Sequence, residues 1–336
     1  MVNKNACPNV FFKESKKDSF SATNPLYCNE IELAVYYPAK QTGSSMYRPI
    51  PLIIADIKAF SNNFSDSDLD QVRSIKSYSG KNLPIADKQF PVIFFSPGYG
   101  VPAQEYENII TELVSHGYIV VGVNSQFISG NMSFNGSKIS EFVTQVNEED
   151  RMNLFRNSYK DLSYAYETLN QQRLLDPILS KIAWNKVALL GHSLGSVAVA
   201  RFANHTGILA VGALDLTLDL IDGNNCHTDL KVPFMHIYSS QLYQRNETHE
   251  FPYLCKENAS SAYKQVYVIG GNDPAYSMHM NFCDYSTLQY APPILKAITE
   301  LNNNPDEVFL GTGNGIKITD VMNQKLLEFF GKYVQD

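Results

Sequence analysis

Residues Val187 to Ser196 read Val-Ala-Leu-Leu-Gly-His-Ser-Leu-Gly-Ser, and this stretch decides the fold. An apolar run typical of a buried strand leads directly into a Gly-x-Ser-x-Gly pattern centred on Ser193, and an apolar, helix-like run follows it. A strand that turns this sharply into a helix strains its central residue, and Gly191 and Gly195 let the two elements approach closely. The pattern predicts an exposed nucleophilic hydroxyl at Ser193, the alternative being a chance match in a loop.

Short apolar strands alternate with helical segments on both sides of this motif. Alternation of this kind is typical of an α/β fold with a mostly parallel central sheet flanked by helices. Residues 30–39 instead alternate apolar and polar positions and predict an early strand of a leading antiparallel portion. Further strands are predicted at 91–95, 118–123, 186–190, 208–214, 233–238 and 265–269, and helices at 103–115, 159–169 and 319–333.

The domain organisation follows from the absence of a repeat or a low-complexity linker. We expect one domain over 1–336, in which 1–89 form an N-terminal extension with the leading strands and 90–336 form the catalytic core. Residues 60–88 are polar and predict a loop excursion. Residues 124–156 are longer than an ordinary strand-to-helix connection and predict a lid-like insertion at the carboxyl edge of the sheet.

Composition excludes several classes of function. The chain has 336 residues, of which 44% are hydrophobic and 18% charged, so it can bury a large core. Its net charge of −7 offers no basic stripe, which argues against a nucleic-acid partner. No apolar stretch approaches the roughly 20 residues of a membrane-spanning helix. The N-terminus lacks the apolar region of a signal peptide, although a mature chain placed behind a new Met would look the same.

A serine nucleophile needs a base, and the base needs an orienting acid, in loops after later strands. Of the seven histidines, His279 follows the last predicted strand and is the expected base, the alternative being an exposed loop histidine. Asp215 directly follows the strand 208–214 and is the expected acid. The segment after the next predicted strand offers no carboxylate, which leaves Asp219 and Asp222 as rivals.

The oxyanion that forms during attack on an ester needs two backbone N–H donors. We expect one from Leu194, the residue after the nucleophile. The second is expected from Tyr99, since the glycines on both sides of it let the backbone approach the substrate oxygen. The alternative is a simple Pro-Gly turn at this point of the chain.

Four sequence blocks resemble the platelet-activating factor acetylhydrolases of the plasma, lipoprotein-associated type, which are phospholipase A enzymes. Asp215 lies 22 residues after Ser193 (215 − 193), a spacing similar to that of this family rather than of most hydrolases. The resemblance implies an α/β-hydrolase fold and hydrolysis of short or oxidised acyl chains. The blocks are Tyr36-Tyr37-Pro38, residues 94–100 continuing to 115–120, residues 191–195, and residues 213–215 with 279–284.

Two departures from this family are visible. Pro97 stands where the family often has His, and Ser196 stands where it has Gly, the second change being expected to affect helix packing. The family's lipid-docking surface does not transfer, because the segment 104–108 is acidic at its start. The resemblance implies a small-molecule or lipid ester as substrate, and contact with a lipid surface if that ester is a phospholipid. The alternatives are an esterase for small acetyl or polyester-type esters and a non-catalytic binding module.

Five cysteines show no Cys-x-x-Cys spacing, so we expect no metal site, and the ester chemistry needs no cofactor. We hypothesise that Cys7 pairs with Cys28 and Cys226 with Cys255, because each pair brackets a polar stretch, leaving Cys283 as a thiol. Such pairing predicts export, whereas five unpaired thiols would indicate a cytoplasmic protein. The oligomeric state stays open.

If the pairing is right, the denatured chain titrates about one thiol before reduction and about five after it. Intact mass after alkylation, with and without reduction, measures both values. Five alkylated thiols without reduction would exclude the pairing.

Overall fold

Twelve strands lie in the part of the chain that the structure describes. The computed structural model describes residues 19–24, 29–40, 46–47, 64–77, 79, 83–125, 128–129, 132–134, 138–140, 148–216, 231–245, 264–273, 275–301 and 310–335. The strands within these ranges are β1 (Ser19–Asn24), β2 (Asn29–Tyr36), β3 (Met46–Tyr47), β4 (Lys76–Ser77), β5 (Phe90–Ser96), β6 (Ile119–Ser125), β7 (Met132–Phe134), β8 (Lys138–Ser140), β9 (Ile182–His192), β10 (Ile208–Leu214), β11 (Phe234–Ser239) and β12 (Lys264–Ile269).

Eight of these strands form one sheet in the order β1-β2-β6-β5-β9-β10-β11-β12. β2 pairs antiparallel with both β1 and β6, and every pairing from β6 through to β12 is parallel. The expected α/β fold with a mostly parallel sheet is confirmed, as is the leading antiparallel portion. The remaining strands form two small ribbons, β3 with β4 and β7 with β8.

Helices cover both faces of the sheet. The α-helices of the described residues are α1 (Asp66–Arg73), α2 (Glu107–Ser115), α3 (Glu148–Gln171), α4 (Leu194–Phe202), α5 (Ser240–Arg245), α6 (Pro292–Leu301) and α7 (Gly315–Phe330). Short 3-10 turns occupy Ala103–Tyr106, Leu179–Lys181, His279–Phe282 and Asp284–Tyr290, and one π turn occupies Gly331–Gln335.

The core consists of two apolar layers separated by the sheet. One layer packs α2, α6 and α7 against alternate residues of the central strands. The other packs α3 and α4 against the opposite face. Because both faces of the parallel strands are covered, β5 and β6 are apolar along nearly their whole length rather than alternating.

Strand register gathers four chain segments at one edge of the sheet. Ser96 at the end of β5 pairs with Gly191, and His192 at the end of β9 pairs with Leu214. Leu214 in turn pairs with Ile237 of β11. The residues that directly follow these strands therefore start side by side, at the carboxyl edge where ligands bind in parallel sheets.

Residues 64–77 differ from the predicted loop excursion, because they contain α1. Ser65 caps this helix: its hydroxyl accepts from the Asp68 N–H, and the Asp68 carboxylate accepts from the Ser65 N–H. Leu69 and Val72 are its buried residues. Only one narrow face of this short helix is apolar. The polar composition of the segment therefore predicted a loop instead of a helix.

Helix boundaries also differ from those predicted. The helix expected at 103–115 is broken at Glu105, where the backbone leaves helical geometry (φ −96°, ψ 18°). α3 starts at Glu148 rather than near 159, and the insertion expected at 124–156 contains the short strands β7 and β8 and the first turns of α3. The last helix starts at Gly315, capped by the Asn314 side chain, rather than at 319.

Among the helices of the described residues, none combines the length and the apolar character that crossing a bilayer requires.

Gly195 is the glycine whose replacement should damage this fold. A Cβ there would lie 1.9 Å from the Ser96 carbonyl oxygen, although Ala would otherwise favour helix α4. We expect Gly195→Ala to lower the free energy of unfolding by more than about 3 kcal/mol in urea denaturation. Gly331→Ala is the matched control, since that position has right-handed helical backbone and nothing within 4 Å of a new Cβ. An equal, small effect of both changes would contradict the close approach.

Candidate active site

Ser193 lies at the turn between β9 and α4 with a strained backbone. Its φ of 53° and ψ of −120° fall where residues with a side chain are rare. The Ser193 N–H donates to the Leu214 carbonyl at 2.9 Å, which fixes the turn to the neighbouring strand. The predicted sharp strand-to-helix turn is present, and it holds the hydroxyl-bearing residue beyond the end of β9.

Ser196 ties the same turn to β10. Its Oγ lies 2.7 Å from the Gly191 carbonyl and 2.9 Å from the Leu214 carbonyl, and it accepts from the Leu214 N–H at 3.2 Å. The side chain is fully buried. The sequence predicts only a role in helix packing for Ser196. In the structure it also cross-links the turn that holds Ser193 to the strand that ends beside Asp215.

Asp215 follows β10 and is fully buried. Its backbone has a left-handed φ of 47°, a conformation that Asp tolerates better than most residues, and its N–H donates to the Ile237 carbonyl. The Ser239 N–H donates to Oδ1 at 2.7 Å, and the Ser239 hydroxyl donates to Oδ2 at 2.9 Å. The carboxylate is thus held by Ser239 at the end of β11, after which residues 240–244 include no acidic residue that could replace Asp215.

His279 contacts this carboxylate directly. Its Nδ1 lies 2.7 Å from Asp215 Oδ2, and about one third of its side chain is exposed. The residue begins a 3-10 turn after β12. The Asn281 side-chain oxygen stabilises this turn by accepting from the N–H groups of Met278 and Gly311. The structure therefore brings together the predicted acid and the predicted base, with Nε2 of the imidazole directed away from the carboxylate.

A buried aromatic cluster lies under the site. The centroid of the His192 ring lies 4.6 Å from that of the His279 ring, and the His192 ring stacks on Phe282 at an interplanar angle of 10°. His192 Nδ1 lies 2.8 Å from the Tyr106 hydroxyl, which also accepts from the Gly98 N–H at 3.0 Å. Tyr106 is therefore bonded both to the loop after β5 and to the residue that precedes Ser193.

Burial governs the titration of this cluster. Desolvation, reinforced by the neighbouring His279, holds the pKa of His192 well below its usual range, against an opposing contribution from the His279 backbone. Burial likewise raises the pKa of the Tyr106 hydroxyl well above its usual value. Both side chains are therefore neutral at neutral pH.

The loop 97–100 after β5 comes close to Ser193. A Cβ on Gly98 would lie 2.9 Å from His192 Nδ1 and 3.3 Å from Ser193 Cβ, so only a glycine fits there. The next residue is Tyr99, the predicted oxyanion donor. Leu194, the other predicted donor, is the first residue of α4, where N–H groups have no acceptor within the helix.

Most of the remaining predicted residues belong to parts of the chain that the structure does not describe. Asp219, Asp222 and the cysteines at 7, 28, 226 and 255 lie outside the described residues. Cys283 is buried and is not in a disulfide. In the part of the chain that the structure describes, no group of three His, Cys, Asp or Glu side chains is placed to hold a metal ion.

The sequence did not predict that Tyr106 and Ser239 shape the site, and it indicated only a packing role for Ser196. Ser239 could have been found indirectly. The segment after β11 offers serines and no carboxylate, and a buried Asp215 carboxylate needs hydrogen-bond donors from its neighbours. Tyr106 gave no signal, because its position depends on the backbone break at Glu105.

The low pKa of His192 predicts an acid-sensitive fold. Unfolding exposes the imidazole, which then binds a proton near pH 6.5, whereas the folded state does not. The contribution of neutral His192 to the free energy of unfolding is therefore fully present above about pH 6.5. Below that pH it falls by up to about 1.4 kcal/mol per pH unit for one proton. Urea denaturation at several pH values should show a shallower decline for His192→Gln than for wild type. His116→Gln, at the surface, controls for losing a histidine, and equal slopes in His192→Gln and wild type would contradict the assignment.

Comparisons with known proteins agree with this fold. No protein-family model matches the chain. A platelet-activating factor acetylhydrolase of Cavia porcellus is 25% identical over 239 residues, which is 63% of this chain and 53% of that protein. The chain thus spans about half the length of this relative. The solved structure of a ferulic acid esterase from Streptomyces cinnamoneus superposes with a TM-score of 0.70 at 19% identity, over 92% of this chain and 84% of the esterase. The chain therefore has the α/β-hydrolase fold, and its sequence resembles that of a platelet-activating factor acetylhydrolase.

Proposed function

We propose that this chain is a serine ester hydrolase in which Ser193 is the nucleophile, His279 the base and Asp215 the orienting acid. The observation that carries the proposal is the 2.7 Å contact between His279 Nδ1 and Asp215 Oδ2 at the sheet edge where Ser193 is held in a strained turn. A base oriented by an acid, next to a serine on such a turn, is the arrangement that acyl transfer requires.

The reaction divides into two acyl transfers. Ser193 Oγ attacks the ester carbonyl carbon while His279 Nε2 takes the hydroxyl proton, and His279 then returns that proton to the leaving alcohol as the ester C–O bond breaks. A water molecule next attacks the acyl-serine and gives its proton to His279. The proton passes to Ser193 Oγ as the carboxylic acid leaves, which restores the free enzyme.

Two backbone N–H groups stabilise the negative oxygen of each tetrahedral intermediate. Leu194 supplies one from the N-terminus of α4, where the helix dipole also favours negative charge. Tyr99 supplies the other from the loop at Gly98, where an added Cβ would lie only 3.3 Å from Ser193 Cβ. Residues of the chain are sufficient for this chemistry.

We infer that the substrate is a short or modified acyl ester of a phospholipid. The support is the sequence similarity to a platelet-activating factor acetylhydrolase, which extends over 63% of the chain. The acidic start of the segment 104–108 does not oppose contact with a lipid, because Glu105 and Glu107 are 2% and 5% exposed and their carboxylates face the protein.

Removing the nucleophile tests the reaction type. We expect Ser193→Ala to lower turnover of p-nitrophenyl acetate by on the order of 10³-fold or more, because the acyl-serine cannot form. Ser180→Ala is the control, since that serine is exposed and lies before β9, at the opposite edge of the sheet. Mass spectrometry should locate a fluorophosphonate adduct on Ser193. Retained esterase activity in Ser193→Ala, or an adduct elsewhere, would refute the triad.

A substrate panel separates the proposed substrate from its alternatives. Wild type and Ser193→Ala are assayed on p-nitrophenyl esters of increasing chain length and on phospholipids with acetyl or other short sn-2 chains. Cleavage of the phospholipids by wild type alone supports the proposal. Cleavage of soluble esters without the phospholipids indicates an esterase for small acetyl or polyester-type esters, and no turnover of any ester indicates a binding module.

A further inference from the structure

Tyr106 is buried between two parts of the candidate site that are far apart in the sequence. It is fully buried, and its ring packs edge-on against Phe95 of β5 with a centroid distance of 4.7 Å. Its hydroxyl accepts from the Gly98 N–H and lies 2.8 Å from His192 Nδ1. One phenol thus joins the loop that carries a proposed oxyanion donor to the residue that precedes the proposed nucleophile.

We propose that Tyr106 and His192 form a positioning pair for the ester hydrolysis proposed above, on which this inference rests. In this pair the Tyr106 hydroxyl accepts from Gly98 and donates its own proton to His192 Nδ1. His192 is then the tautomer with its proton on Nε2, the nitrogen away from Tyr106. Neither residue touches the reacting atoms, and each acts through a neighbour.

The direction of the proton follows from the donors available. The Gly98 N–H can only donate, so it occupies a lone pair of the phenol oxygen. A neutral imidazole carries one proton, and His192 is neutral because burial disfavours its charged form. With the phenol proton directed at Nδ1, the Gly98 N–H, the Tyr106 hydroxyl and His192 Nδ1 are all paired, and His192 Nε2 alone of this three-residue chain lacks a hydrogen-bond partner among the described residues. The reverse direction would leave the buried phenol proton without an acceptor as well, which costs more.

The first consequence concerns the oxyanion loop. Both backbone polar groups of Gly98 are hydrogen-bonded: its N–H donates to Tyr106, and its carbonyl accepts from the Val101 N–H at 3.3 Å. Fixing this residue fixes the direction of the Tyr99 N–H that follows it. Because an oxyanion donor is effective only when it is already aimed at the developing charge, the Tyr106 hydroxyl should matter most in the transition state.

The second consequence concerns the base. The His192 ring stacks on Phe282, and its centroid lies 4.6 Å from the centroid of the His279 ring. A neutral ring in this place can support the His279 imidazole as it gains a proton, whereas a cationic ring would repel it. The hydrogen bond to Tyr106 sets the rotation of the His192 ring, and thereby the surface on which His279 rests.

A separate interaction fixes Tyr106 itself. The Asp284 carboxylate accepts from the N–H groups of Glu107 and Asn108, at 2.6 and 3.1 Å, where helix α2 begins. Asp284 lies five residues after His279 in the segment that carries the base. The start of α2 is thereby tied to the base loop, which keeps Tyr106 beneath the site although the preceding helix breaks at Glu105.

Tyr106→Phe tests the pair, because it removes the hydroxyl and keeps the ring. We expect kcat for p-nitrophenyl acetate to fall about 10- to 100-fold while KM changes by less than about threefold, since a misdirected donor weakens the transition state more than the bound substrate. Tyr118→Phe is the matched control: it removes the hydroxyl of another fully buried tyrosine, which packs on Phe330 away from the site. That variant should keep kcat within about threefold of wild type.

Two readouts separate positioning from a merely structural role. Thermal unfolding of both tyrosine variants shows whether any loss of kcat exceeds what lost stability explains. The ¹⁵N shifts of the His192 ring report its tautomer independently of ester turnover. We expect Nδ1 without a proton in wild type and a changed Nδ1 shift in Tyr106→Phe.

Unchanged kcat in Tyr106→Phe, an effect on KM alone, or a proton on Nδ1 of wild-type His192 would each overturn the positioning pair. The proposed function fails in a different way, by absence of ester turnover in wild type or its persistence in Ser193→Ala. In that case the ¹⁵N measurement still decides whether Tyr106 donates to His192.

Discussion

The close approach of the β9–α4 turn to the end of β5 is the constraint on which the rest of the site depends. Gly191 and Gly195 leave no room for a side chain, with Gly195 against the Ser96 carbonyl. The turn between them holds Ser193 at a positive φ, which for a residue with a side chain costs of order 1–3 kcal/mol. That cost is offset by the hydrogen bond from Ser193 to Leu214 and by Ser196, which lies within bonding distance of both the turn and β10.

The parallel sheet then determines which residues meet. The strands β5, β9, β10 and β11 lie side by side, so the residues just beyond their ends share one edge. Asp215 emerges one strand away from Ser193, and Ser239 emerges one strand further on. The buried carboxylate receives two donors from Ser239 and one contact from His279, which satisfies a group that would otherwise be costly to bury.

A second layer of polar contacts joins the loops beneath this edge. Asp284, in the segment that carries the proposed base, holds the start of α2, and Tyr106 just before α2 contacts both Gly98 and His192. The block 279–284, which resembles the acetylhydrolases in sequence, thus contains both the proposed base and the residue that anchors the neighbouring helix. Its two ends serve different physical purposes within one short segment.

The sequence by itself determined seven of the eight strands of the main sheet, all but β1, and the sharp turn at Ser193, and it shows the chain order of Ser193, Asp215 and His279. These follow from local physics: apolar runs form buried strands, and the two glycines permit the tight turn. It concealed α1, whose apolar face is narrow, and the break at Glu105. Only the tertiary structure decided that Ser239 holds the acid and that Tyr106 joins Gly98 to His192. Such contacts depend on strand register and on a local departure from helical geometry, and neither leaves a periodic pattern in the sequence.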